Sequence, residues 1–99
     1  MSFVQTAPGL LTAAADSLSD IGASMSEQNV AVALPTTQVT APAADQVSAL
    51  MATKFETHGV AYQTVATMAT QIHQAFVSAL ASGGTSYAVA EAANAAAAR

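Results

Sequence analysis

The side chains in this sequence that could do more than pack are His58 and His73, the carboxylates Asp16, Asp20 and Glu56, and the pair Tyr87 and Glu91. Imidazoles ligate metals and move protons. Fifteen residues separate these two, about 22 Å along a helix axis, so they cannot share an ion. Glu56 and His58 are two apart and leave a helix on different sides, which rules out a direct acid–base pair. Both histidines fall among apolar residues and read as hydrogen-bonded interface or core residues, a pH-sensitive contact being the alternative. Asp16 and Asp20 share a face at i,i+4, but nothing apolar surrounds them and no nucleophile or metal ligand accompanies them, so they read as a solvated face. There is no Gly-rich phosphate loop, activated nucleophile or ligand cluster, and no cysteine. The expectation is therefore no enzyme, metal, cofactor or small-molecule substrate. Tyr87 and Glu91, also i,i+4, put an aromatic ring and a carboxylate on one face of a helical turn. By itself that spacing is weak.

The elements that must position these residues are helices. Of the 99 residues, 53% are apolar but only 5% aromatic, so alanine dominates. Alanine forms helices readily and buries little area. Thr6 before Pro8 reads as a cap followed by a proline in the first turn. Leu11, Ala14, Leu18, Ile21 and Met25 then recur at steps of three and four, with Asp16, Asp20 and Glu27 opposite. This predicts a first helix over about 8–33. Pro35 is expected to end it, with a connector over 34–41. A second helix is expected over about 42–82, with Pro42 early in it and Thr40 or a neighbour as its cap. Its seam runs Val47, Met51, Phe55, His58, Tyr62, Val65, Ala69, Ile72, Phe76, Leu80. Gly83-Gly84 reads as its stop, and 83–99 as an alanine-rich tail, helical by propensity but prone to fray. Gly22 and Gly59 either permit close helix approach or are merely tolerated.

A second helix of about 40 residues would be about 60 Å long, more than a shorter first helix can cover. Its apolar arc also spans nearly half the circumference, since Leu50, Met68 and Val77 widen the seam. An uncovered apolar face of that size marks an interface. The expected fold is all-α, a long antiparallel two-helix hairpin in one domain. The residues expected at a partner interface or bundle core are Leu11, Leu18, Ile21, Met25, Met51, Phe55, His58, Tyr62, Val65, Ile72, Phe76 and Leu80. A net charge of −4 argues against nucleic acid and anionic membrane surfaces. The N-terminus has no basic segment followed by an apolar one, so no Sec-type signal is expected, and no apolar run reaches the length of a spanning helix. A hairpin inserting its apolar face into lipid is the alternative reading, disfavoured by the scarcity of Lys and Arg.

Several stretches together resemble the PE proteins of mycobacteria, substrates of type VII secretion. These are Met1-Ser2-Phe3-Val4 with Thr6 and Pro8, Pro42-Ala43-Ala44-Asp45-Gln46-Val47-Ser48, and Phe55, His58 and Tyr62-Gln63. His73-Gln74-Ala75-Phe76-Val77 and Tyr87-Ala88-Val89-Ala90-Glu91-Ala92-Ala93-Asn94 complete the set. One departure is Gly9, where the family carries the Glu of its Pro-Glu signature. Its loss should weaken a capping box with Thr6 without changing the fold. The resemblance implies a stand-alone PE domain that forms a 1:1 heterodimer with a PPE-family protein, two of its helices entering a parallel four-helix-like bundle. It further implies a cytosolic chaperone bound through the PPE subunit, a secretion ATPase, and export of the folded pair to the outside or the cell surface. Tyr87 and Glu91 would fill the Tyr-x-x-x-Asp/Glu secretion motif.

Overall fold

The computed structural model describes residues 6–99, so Met1-Ser2-Phe3-Val4 lies outside the described residues. The chain is all-helical: α1 spans Pro8–Thr37 and α2 spans Gln46–Ala97, with no strand among the described residues. Both helices run past their expected C-terminal ends, whereas α2 begins later than expected, and each boundary has a local cause.

Pro8 is the first helical residue of α1, as expected, but the capping position falls to Ala7 and not to Thr6. The Leu10 N–H donates to the Ala7 carbonyl at 3.0 Å. In this register residue 9 is not three beyond the cap. The capping-box account of the missing Glu therefore does not hold: a carboxylate at 9 would act only on the free N–H groups of the first turn.

Pro35 does not stop α1. It lies in the last turn, where few ladder bonds remain to be lost. The two threonines that follow tie that turn together. The Thr36 hydroxyl donates to the Val32 carbonyl at 2.6 Å, and the Thr37 hydroxyl to the Ala33 carbonyl at 2.6 Å. The Gln38 N–H closes on Leu34 at 2.9 Å.

At the start of α2 the cap is Asp45, not Thr40, and Pro42 stays in the connector. One Asp45 oxygen accepts the Ser48 N–H at 3.0 Å and the other accepts the Ser48 hydroxyl at 2.7 Å. A carboxylate that satisfies an orphan N–H three residues on defines the boundary better than a threonine further upstream. At the far end α2 passes straight through Gly83-Gly84 to Ala97, and the fraying expected beyond the glycines is replaced by helix. Neither glycine takes the left-handed conformation of a helix stop. The Thr85 hydroxyl bonds the Ala81 carbonyl at 3.2 Å, spanning the two glycines within the helix.

Contacts along the two helices group into two units, Met1–Gly22 with His73–Arg99 and Ala23–Ile72. Inside each unit a stretch of α1 pairs antiparallel with a stretch of α2. The contact face is built mainly from small and polar residues, with Leu11, Leu18, Val77 and Leu80 among them in the unit Met1–Gly22 with His73–Arg99. On α1 it follows Leu11, Ala15, Leu18, Gly22, Ser26, Asn29, Ala33 and Thr37, at steps of three and four. On α2 it follows Ser48, Ala52, Gly59, Gln63, Ala66, Thr70, His73, Val77, Leu80 and Gly84. The only buried hydrophobic side chains among the described residues are Ala15 and Ala52.

Candidate partner interface

Close approach explains which residues meet. In the unit Met1–Gly22 with His73–Arg99, His73 Nε2 lies 2.6 Å from the Leu18 carbonyl oxygen. A carbonyl can only accept, so Nε2 carries the proton. Gly22 makes this contact possible: a Cβ there would fall 2.8 Å from the imidazole Cδ2 and Nε2. In the same unit Gly84 faces Pro8, Leu11 and Thr12, and a Cβ would stand 2.9 Å from the Thr12 hydroxyl.

In the unit Ala23–Ile72, Asn29 of α1 is held by two consecutive residues of α2. The Tyr62 hydroxyl donates to Asn29 Oδ1 at 2.6 Å, and Gln63 Nε2 donates to the Asn29 carbonyl at 3.1 Å. Gly59 lies against the Thr36 backbone, where a Cβ would come 2.8 Å from the carbonyl carbon. Gly22 and Gly59 are thus required by close approach. Asn29 was not singled out in the sequence, and Gln63 only within the stretch Tyr62-Gln63, because isolated amides at seam spacing look like surface.

The larger apolar residues lie elsewhere. Leu11, Leu18 and Leu80 are half-buried at the seam, but the remaining candidate residues, Ile21, Met25, Met51, Phe55, His58, Tyr62, Val65, Ile72 and Phe76, are exposed. Phe55 is 60% exposed, Ile72 70% and Phe76 57%. At about 100° per residue, Leu10, Ile21, Met25 and Val32 fall in an arc of about 60° on α1, roughly a quarter turn from its contact face. On α2 the row from Val47 to Phe76 is displaced from its own contact face by about the same amount. In the unit Ala23–Ile72 the two rows open to one side. Val32 and Pro35 of α1 line a single cleft of about 530 Å³ with Phe55, His58 and Tyr62 of α2. Asp16, Asp20 and Glu27 are exposed and share a separate sector of α1.

One charged residue breaks the pattern. Lys54 is exposed and falls within about 40° of Val47, Leu50, His58 and Val65, inside the apolar arc of α2. The seam reading passed over it because Lys54 is not itself a member of the heptad row.

Tyr87 and Glu91 sit on the continuous part of α2 with both side chains exposed, so their i,i+4 spacing does present ring and carboxylate together. Among the described residues no group of three or more His, Asp or Glu could hold a metal ion, and no helix is long and apolar enough to cross a membrane.

In each unit two long helices meet mainly through small residues and leave large apolar side chains exposed, which defines an all-helical class of protein. The PE family profile matches residues 4–94. The chain is 54% identical to PE family protein PE13 of Mycobacterium tuberculosis over 98 residues, covering 99% of each. It is also 51% identical to PE-PGRS family protein PE_PGRS33 and 47% identical to Esterase PE16 of the same organism, spanning 20% and 18% of their lengths. The chain belongs to the PE family of mycobacterial proteins.

Proposed function

We propose that this chain is a non-enzymatic interaction subunit that pairs 1:1 with a PPE-family protein and carries the type VII secretion signal of the pair. One observation carries the pairing: the row from Val47 to Phe76 and the row from Leu10 to Val32 remain exposed after α1 and α2 have met. Contiguous apolar surface of this kind is a docking surface in a folded protein. A helical partner would complete a four-helix bundle by laying its own apolar stripes along these rows.

Export rests on Tyr87 and Glu91, exposed on one face of α2 beyond the segment that α1 contacts through Gly84. A receptor groove can read an aromatic ring and a carboxylate so placed without disturbing the bundle. Tyr87→Ala and Glu91→Gln should therefore leave pairing and melting temperature nearly unchanged while abolishing export of both subunits, and Glu91→Asp should be tolerated. Fractionation of mycobacterial cultures expressing each pair is the test. Normal export of the Tyr87→Ala pair would remove the motif from recognition.

A further inference from the structure

We infer that the partner's docking helix carries an aspartate or glutamate that pairs with Lys54, and that this contact selects between otherwise similar apolar partners. The inference rests on the pairing proposed above and names the chemistry of its other half. The chain has only two cations, and the other, Arg99, is its last residue. Lys54 is thus the only positive charge in the paired part of the molecule, and it stands inside the apolar arc of α2 with Val47, Leu50 and Met51 exposed around it. Its helical neighbours at three and four residues are Leu50, Met51, Thr57 and His58, none of them a carboxylate. Glu56 is two residues away and leaves α2 on nearly the opposite side. Asp45 is committed to the Ser48 cap.

A partner helix lying across Val47, Leu50 and Phe55 would cover the stem of Lys54 and strip water from its ammonium. Left unpaired, that charge opposes docking; met by a carboxylate, it orients the partner and fixes its register. On α1, Asp16, Asp20 and Glu27 all lie outside the apolar arc, so α1 places no carboxylate on this surface.

The test co-expresses wild-type, Lys54→Met and Lys54→Glu chains with the PPE-family protein that co-purifies with the wild type and measures the dissociation constant of each complex on dilution. Circular dichroism checks that each variant complex is helical. Methionine keeps the length and apolar stem and removes the charge. Lys54→Met should weaken binding about tenfold and Lys54→Glu about a hundredfold or more, within the range measured for close interfacial charge pairs. Exchanging the partner's facing carboxylate for lysine should restore binding of Lys54→Glu to within about threefold. If Lys54→Met binds as tightly as wild type, the ammonium reaches water at the rim and the inference is overturned; the pairing itself then stands. If the wild-type chain takes no PPE-family partner at all, the pairing falls first and this inference with it.

Discussion

Glycine has three different meanings in this chain, and only atomic neighbours tell them apart. Gly9 and Gly83 have nothing within 4 Å of an added Cβ, whereas Gly59 faces the Thr36 backbone and Gly22 an imidazole. Backbone cannot step aside as a side-chain tip can. Gly59→Ala should cost about 1–3 kcal/mol by forcing α1 and α2 apart in that unit. Gly83→Ala should instead gain up to about 1 kcal/mol, since alanine replaces glycine in an open stretch of helix. Thermal unfolding of the partner complex checks the opposite signs, and a stabilising Gly59→Ala would contradict the close approach. Tyr62 shows how far type and spacing alone can be read. Its place on the apolar row was visible in the sequence, but its hydrogen bond to Asn29 was not, because Asn29 lies 33 residues away and no local pattern links the two.

At the scale of the element, helix ends respond to single polar contacts. The Ser48 hydroxyl and then the Ser48 N–H hold the Asp45 carboxyl below the ordinary aspartate range. The charged form is the one bonded in the folded state, so its contribution is complete above the ordinary aspartate pKa, about 4, and is lost as pH falls through the lower folded value. Asp45→Asn keeps an oxygen for the Ser48 N–H but cannot titrate. The melting-temperature difference between wild type and Asp45→Asn should be constant above about pH 5 and shrink below about pH 4. A difference independent of pH down to about pH 2 would remove Asp45 from the cap. The hydroxyls of Thr53, Thr57, Thr64, Thr67, Thr70 and Thr85 all bond the carbonyl four residues back, which lets α2 carry many threonines without breaking.

At the scale of the whole molecule, the two buried alanines found among the described residues cannot offset the entropy of ordering 30 and 52 helical residues. The chain expressed alone is therefore expected to be aggregated or molten, and co-expression with a PPE-family protein should yield a soluble 1:1 complex. Size-exclusion chromatography with light scattering, together with a thermal melt of the lone chain, decides the point. A soluble monomer with a sharp unfolding transition would mean that the small-residue contacts suffice. Helical class, two long elements, the acidic sector and the apolar row were all determined by the sequence alone, because periodicity and propensity are local properties that survive without neighbours. Which face of each helix meets the other was decided only in the tertiary structure. Periodicity placed the large apolar residues at a partner interface or bundle core without dividing the two; in the structure the helices meet where Ala15, Gly22, Ala52 and Gly59 let backbones approach, leaving most of the large side chains outside. The ends of α1 and α2 were likewise settled by contacts the chain makes after folding, since Pro35 and Gly83-Gly84 stop a helix only where nothing around them keeps it going.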